Sequence, residues 1–232
     1  GQTIQAFSAV GGVAGVKVFV FTDVSASDPA LAAILSMADK NIMIGVGNGL
    51  FLPNDVLTRG QAAVTAVRRF NLSLDDLPTV ATFQDVPTTH YYWKFIESIY
   101  RAGLTTGCSG TPKLFCPDAP ITRAQYAVFL TRGMGLDPAS APQTPYFSDV
   151  PATNIYFPFI QHLYQKGITA GCGINPLRYC PDDNTLRWQA AMMLDKTPGG
   201  TLSQTSLQNY AQMANVLESA RLLLEELLNK LK

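Results

Sequence analysis

The sequence predicts a mainly α-helical protein built from three diverged copies of one helix-loop-helix unit, followed by an amphipathic helix. Two observations predict this. A Phe-x-Asp-Val tetrapeptide begins at Phe21, Phe83 and Phe147, at steps of 62 and 64 residues. Within each copy, apolar residues recur at helical spacing, and Gly-rich or Pro-rich segments separate these stretches.

The composition limits the classes of function. Of 232 residues, 47% are hydrophobic and 15% charged, so the chain can bury a core. Its formal net charge is zero, which gives no reason to expect a nucleic-acid partner. No run of about 18 apolar residues is present, so no transmembrane span is predicted. Residues 1–20 form an apolar segment that lacks the basic start of an intact signal peptide and would fit a remnant of one.

The first helix of each copy follows the Phe-x-Asp-Val turn. In the second copy its apolar face contains Phe95, Ile96 and Ile99. These helices are predicted to end at residue types that tolerate a left-handed backbone, namely Asn41, Gly103 and Gly167.

The second helix of each copy begins at a capping box. Thr58 with Gln61, and Thr122 with Gln125, have the spacing at which side chain and backbone bond reciprocally. In the third copy Leu186 replaces the Thr, so that box is degraded.

The copies span residues 21–72, 83–136 and 147–197. Each has too little apolar surface to fold alone. We therefore predict one domain over residues 21–197, a helical bundle in which the copies pack in a trefoil-like, pseudo-threefold arrangement.

The motifs taken together resemble those of the S-layer homology family. They are an opening Phe-x-Asp-Val, an aromatic before an amphipathic helix, a Gly-rich loop, Phe/Tyr-x-Pro-Asp/Asn and Thr-Arg-Ala-Gln, recurring over about three quarters of the chain. The resemblance implies three tandem repeats that anchor a secreted protein to a cell-wall polysaccharide, often one carrying pyruvate ketals, through grooves between repeats. It also implies localisation at the bacterial cell surface or in the periplasm and envelope.

The resemblance maps the family's binding residues onto four positions. Its motif Arg corresponds to Arg59, Arg123 and Arg187, and its aromatic before the first helix corresponds to Trp93. Two features depart from the family, since the usual Glu of the Thr-Arg-Ala-Glu motif is Gln in all three copies and the third copy lacks the Thr.

A cation in the first turn of a helix faces the positive end of the helix dipole, at a cost of up to about 1 kcal/mol. Finding Arg there three times indicates a compensating partner. We expect an anionic ligand held by the guanidinium and the helix amides. The alternative is an ion pair with an Asp of the loop just upstream.

Three aromatics before the second copy's helix, Tyr91, Tyr92 and Trp93, would suit a platform for a sugar ring or, alternatively, a core contact. The repeated Asp of Phe-x-Asp-Val is expected to cap backbone amides of its turn.

The four cysteines form two pairs, Cys108 with Cys116 and Cys172 with Cys180, each separated by seven residues. Neither pair has the four ligands of a metal site nearby, so we predict two disulfides, each closing its own Gly-rich loop in an oxidising compartment. Val46 and Leu52 replace the pair in the first copy, whose loop is two residues shorter, and predict a tight apolar turn.

No catalytic motif is evident, and the sequence predicts a non-enzymatic protein without cofactor or metal.

Residues 201–232 carry a heptad pattern that predicts a coiled-coil-like helix, which either docks on the repeats or binds another chain. Two hypotheses follow. One is a polysaccharide-binding anchor; the other is a structural subunit of a surface layer, filament or envelope complex that assembles through its terminal segments.

Overall fold

The computed structural model describes residues 21–198 and, in the C-terminal segment, positions 223, 226, 227 and 230. This part of the chain is mainly α-helical, as predicted, with two short hairpins. The elements are α1 Leu31–Asp39, α2 Arg59–Phe70, α3 Trp93–Arg101, β1 Ser109–Gly110, β2 Lys113–Leu114, α4 Arg123–Gly133, a 3₁₀ turn Pro138–Ser140, α5 Phe157–Gln165, β3 Gly173–Ile174, β4 Leu177–Arg178 and α6 Arg187–Lys196. Across the described ranges, no helix combines the length and the apolar character needed to cross a bilayer.

The predicted helix ends are confirmed. Asn41, Gly103 and Gly167, which follow the first helix of each repeat, have φ of 56°, 75° and 68°. Complete capping boxes open α2 and α4. At α6 half of the box persists, because Gln189 Oε1 still accepts from the Leu186 amide at 3.0 Å although the Leu186 side chain has no acceptor atom.

The helices pair between repeats. The second helix of each repeat packs against the first helix of the next, giving α2 with α3, α4 with α5, and α6 with α1. The last of these pairs joins repeat three back to repeat one. Each repeat therefore buries its apolar faces on its neighbours, which is why one copy alone has no sufficient core.

Three backbone hydrogen bonds form a closed ring just before the second helices. The Leu57 amide donates to Thr185 O at 2.8 Å, the Thr185 amide to Ile121 O at 2.9 Å, and the Ile121 amide to Leu57 O at 3.0 Å. These bonds bring the three repeats together at one place in the structure. The complete trefoil shape and the domain bounds 21–197 stay predictions.

Each second helix is also capped by the loop of the following repeat. At α2 the amides of Arg59 and Gly60 donate to Ala119 O and Pro117 O, at 2.9 and 2.8 Å. The equivalent bonds at α4 and α6 run to the loops of repeats three and one. Amides that lack partners inside a helix are thus satisfied by the neighbouring repeat.

The loops of repeats two and three contain antiparallel hairpins that the sequence did not predict, β1 with β2 and β3 with β4. Gly107 allows the close approach this needs, since a Cβ there would lie 2.4 Å from Leu114 O and its φ is 101°. Repeat one has a tighter turn, in which the Val46 amide donates to Leu50 O and the Leu50 amide to Gly47 O, both at 2.9 Å. The predicted tight turn is present, although Val46 is half exposed.

Of the predicted C-terminal helix, the four described positions are helical. Leu223 and Leu227 are exposed, and Lys230 pairs with Glu226 at 2.7 Å. The rest of that prediction, and the N-terminal segment 1–20, lie outside the described residues.

Candidate functional site: the inter-repeat arginine junctions

The first residue of each second helix is a buried arginine that reaches into the next repeat. Arg59, Arg123 and Arg187 are 4%, 4% and 6% exposed. Their Nε atoms donate to the carbonyls of Phe115, Tyr179 and Phe51, at 2.8, 2.9 and 2.8 Å. We call each such contact an arginine junction.

Each guanidinium also lies over the aromatic ring of the residue whose carbonyl it bonds. The distances from the guanidinium carbon to the ring centroid are 4.8 Å for Arg59, 4.7 Å for Arg123 and 4.7 Å for Arg187. A cation over a ring face in a desolvated site contributes about 2 kcal/mol. The junctions therefore hold the repeats together.

The Asp of Phe-x-Asp-Val fixes the loop that receives the arginine. Asp85 accepts the amides of Phe115 and Cys116 at 2.9 and 2.6 Å, one on each carboxylate oxygen. Asp23 and Asp149 make the same pair of bonds in their repeats. The expected role of this Asp in binding amides is confirmed, but the amides belong to the distant loop of the same repeat rather than to the local turn.

These contacts explain the cation at the start of each helix. The alternative expectation, an ion pair with an Asp of the upstream loop, is wrong: within the described part of the chain the arginines bond carbonyl oxygens, and no carboxylate lies within ion-pair distance. A second expectation also needs correction. The helix amides counted as part of an anion site are already bonded to the next repeat's loop in all three helices, and at α2 and α4 also to the capping Thr.

The guanidinium groups differ at Nη2. In Arg59 and Arg123 this nitrogen is buried and has no hydrogen-bond partner among the described residues. In Arg187 it donates to Ile44 O at 3.1 Å. Arg59 also uses Nη1, which donates to Gln125 Oε1 at 3.2 Å.

Burial lowers the pKa of Arg59 and Arg187 from the ordinary value, and nearby groups oppose that shift. They are Tyr156 and Asp85 for Arg59, and Asp55, Asp23 and Tyr92 for Arg187. Tyr156 belongs to repeat three and Tyr92 to repeat two, so groups from all three repeats influence the pKa of each of these two arginines.

Tyr179 is the one junction aromatic with a hydroxyl, which donates to Arg123 O at 2.9 Å. Burial raises the pKa of this phenol to about 12, and the Arg123 charge partly opposes the rise. The equivalent residues Phe51 and Phe115 cannot make this bond.

Trp93 lies at the first position of α3, half-buried against the core, and its Nε1 is buried without a hydrogen-bond partner in the described structure. This location matches the alternative of a core contact, while its role as a sugar platform stays a prediction. Tyr91 is 77% exposed and meets Tyr92 edge-on at 4.9 Å. Tyr92 in turn covers Gly60, where a Cβ would lie 2.4 Å from its ring.

Both predicted disulfides are present. Cys108 bonds Cys116 and Cys172 bonds Cys180, with Cα separations of 6.1 and 6.0 Å. One potential metal-ligand cluster occurs among the described residues, Asp149 with Cys172 and Cys180, but the two sulfurs of that cluster are bonded to each other. Each disulfide closes the hairpin that presents a carbonyl to Arg59 or Arg123.

Sequence reasoning identified the arginines but missed their acceptors, Phe51, Phe115 and Tyr179. The signal was available, because these aromatics recur at the same 64-residue step as the arginines. It did not reveal that each aromatic serves the arginine of the preceding repeat.

Comparison with known proteins identifies the family of the repeats. A model of the S-layer homology domain matches residues 20–63 and 82–127, which correspond to repeats one and two. An endoglucanase of Bacillus sp. (strain KSM-635) is 37% identical over 111 residues, covering 48% of this chain and 11% of the enzyme. A cell surface protein of Thermoanaerobacter kivui is 34% identical over 120 residues, 50% of this chain and 15% of that protein.

The S-layer protein sap of Bacillus anthracis is 28% identical over 181 residues, 76% of this chain and 21% of that protein. The chain therefore spans a quarter or less of these relatives. S-layer homology domains are surface-anchoring modules that bind cell-wall polysaccharide. These matches identify residues 20–63 and 82–127 as S-layer homology repeats, and with the surface proteins that the chain resembles they indicate a secreted cell-surface protein.

Proposed function

We propose that this chain is a non-catalytic anchor that binds an acidic cell-wall polysaccharide, with pyruvate ketals as its charged groups, at the arginine junctions. One observation carries the proposal: Arg59 and Arg123 each keep a buried Nη2 without a partner in the described structure. An unpaired buried donor costs about 1 to 3 kcal/mol. A carboxylate is the group that would recover this cost most fully, since charge-assisted bonds to guanidinium are the strong ones.

Binding at these atoms requires some movement, because each of these two arginines is about 4% exposed and its Nη2 is buried. Side chains covering Nη2 have to open before a carboxylate can enter. Tyr91, which is exposed beside the start of α3, would then suit stacking against the attached sugar.

Co-sedimentation with purified sacculi tests the proposal. We expect the full chain to pellet with native sacculi and to stay soluble with sacculi whose pyruvate ketals have been removed by mild acid. Arg59→Lys and Arg123→Lys together keep both charges but lose the planar fork, so pelleting should fall.

Arg101→Lys is the matched control, because Arg101 is exposed and lies outside the junctions. Full pelleting of the folded double variant would contradict the assigned site. Equal pelleting with acid-treated sacculi would contradict the assigned ligand group.

Assembly through residues 201–232 is a second candidate function. The observation that favours it is the exposure of Leu223 and Leu227, one helical turn apart, at 61% and 57%. Light scattering of the chain with and without residues 201–232 separates the candidates, since assembly without polysaccharide would support this one.

A further inference from the structure

The three junctions differ in a way that bears on how many can bind. We propose that Arg187 acts as the staple of the loop in repeat one, which has no disulfide, and that the chain consequently has two working carboxylate sites, at Arg59 and Arg123. This inference rests on the proposed function for its ligand class.

The staple is visible in the hydrogen bonds of Arg187. Its Nε donates to Phe51 O at 2.8 Å and its Nη2 to Ile44 O at 3.1 Å. These carbonyls lie on the two sides of the repeat-one turn. In repeats two and three, the positions flanking the corresponding loop are joined by disulfides. One guanidinium fork thus ties the two sides of the loop that the cysteines tie elsewhere.

The loop of repeat one also differs in sequence from the other two loops next to Ile44. In repeats two and three the residue before the equivalent position is Thr105 or Thr169, whose hydroxyl accepts the amide of Gly107 or Gly171 at 3.1 Å. Repeat one has Met43 there, which has no hydroxyl. Its loop is also two residues shorter, and it has a single antiparallel bridge between Gly47 and Leu50 instead of a pair of strands.

The three arginines differ in whether Nη2 is available to donate to a ligand. A ligand carboxylate at Arg59 or Arg123 pairs a buried nitrogen that has no partner in the described structure. At Arg187 it has to displace an existing bond and release the loop. A net hydrogen bond of about 1.4 kcal/mol corresponds to a tenfold change in affinity, so we expect at least about tenfold weaker binding at Arg187.

Residue-resolved titration tests the inference. The full chain, labelled with ¹⁵N-arginine, is titrated with methyl 4,6-O-(1-carboxyethylidene)-β-D-galactopyranoside, a pyruvate-ketal sugar. The Nε–Hε signals are assigned from the variants Arg59→Lys, Arg123→Lys and Arg187→Lys. At probe concentrations below saturation, we expect the Arg59 and Arg123 signals to change their chemical shift and the Arg187 signal to remain unchanged.

The outcomes separate this inference from the proposed function. Shifts of all three signals at equal concentration overturn the inference and leave anchoring intact. An absence of shifts overturns it too, and sedimentation with sacculi then shows whether anchoring survives through other residues. The methyl ester of the probe, which has no charge, should shift none of them.

A loop exchange gives the converse test. Residues 43–52 are replaced by the sequence of residues 105–116, which restores the Thr, both cysteines and the missing length. We expect the Arg187 signal to become responsive and the number of sites to rise from two to three. A correctly disulfide-bonded exchange variant that still binds two probes would overturn the inference.

Stability offers a readout that needs no ligand. Arg187→Lys should accelerate amide hydrogen exchange at Val46 and Leu50 in the repeat-one turn, because both sides of the loop lose their tie. Arg59→Lys should accelerate exchange much less in the repeat-two hairpin that Arg59 contacts, because the disulfide between Cys108 and Cys116 still closes it. Equal acceleration in the two loops would contradict a staple role for Arg187.

Discussion

The loop of repeat one and the hairpins of repeats two and three occupy corresponding positions but are closed by different bonds. In all three repeats an Asp carboxylate binds two loop amides and an aromatic carbonyl receives an arginine. A disulfide closes the hairpins, whereas two hydrogen bonds from Arg187 tie the shorter loop. Where a disulfide closes the loop, the arginine Nη2 has no partner in the described structure. Where the disulfide is missing, the same nitrogen bonds the loop.

The largest expected effect comes from removing the Asp that both kinds of loop share. Asp23→Ala leaves the amides of Phe51 and Leu52 without their acceptors, and two part-buried donors left unpaired cost about 3 kcal/mol together. Asp85→Ala should cost less, because the disulfide still closes that hairpin. Urea unfolding measures both, with the exposed Asp118→Ala as control; a larger loss for Asp85→Ala would contradict the comparison.

Removing a disulfide should have the next largest effect. Cys108→Ser with Cys116→Ser opens a loop of eight-residue separation, for which the chain-entropy relation gives about 2 to 3 kcal/mol. The measurement is thermal unfolding with and without reductant. Reductant should destabilise the natural chain more than the variant, which keeps one disulfide, and an equal response would contradict the assignment.

Two glycines of repeat two distinguish the cost of a steric clash from the cost of a left-handed backbone. Both have a positive φ, but only Gly107 lacks room for a Cβ. Gly107→Ala combines a φ of 101° with a Cβ 2.4 Å from Leu114 O, and should cost more than about 2 kcal/mol. Gly103→Ala, with φ of 75° and open space, pays the backbone cost alone, about 1 kcal/mol. Equal losses in urea unfolding would show that the close packing of the hairpin on Gly107 is unimportant.

The smallest effect concerns the hydroxyl that distinguishes repeat three. Tyr179→Phe introduces the aromatic residue found at the other two junctions and removes one buried hydrogen bond. It should lower the free energy of unfolding by about 1 kcal/mol near neutral pH. The pKa of this phenol is about 12 in the folded chain, above the ordinary value of 10.0. Its contribution is therefore complete below pH 10 and is lost as the pH rises towards 12.

Stability measured against pH checks this sign. The difference between the natural chain and Tyr179→Phe should shrink as the pH rises from about 10 to about 12. A difference that grows over this interval would contradict the buried, neutral state of the phenol.

Much of the fold was predictable because its signals are local. Capping residues such as Thr58, and Gly103 at a helix end, act on their own helix, so spacing along the chain reveals them. The disulfides were predictable for the same reason, since Cys108 and Cys116 close a short loop.

The chemistry of the junctions was not predictable, because it joins residues 56 or 136 positions apart. Spacing showed that Arg59 and Phe115 recur, but not that a guanidinium of one repeat meets a carbonyl of the next. The difference at Nη2 depends on where Ile44 O lies in space relative to Arg187. No periodicity in the sequence encodes that position.

The most direct test of this account is the number of carboxylate sites on the full chain, measured by calorimetric titration with the pyruvate-ketal galactoside. The account predicts two sites of similar affinity and no heat of binding from the methyl ester of the same sugar. Three equivalent sites would contradict the role given to Arg187, and no saturable binding would contradict the arginine junctions as the place where the wall polymer is held.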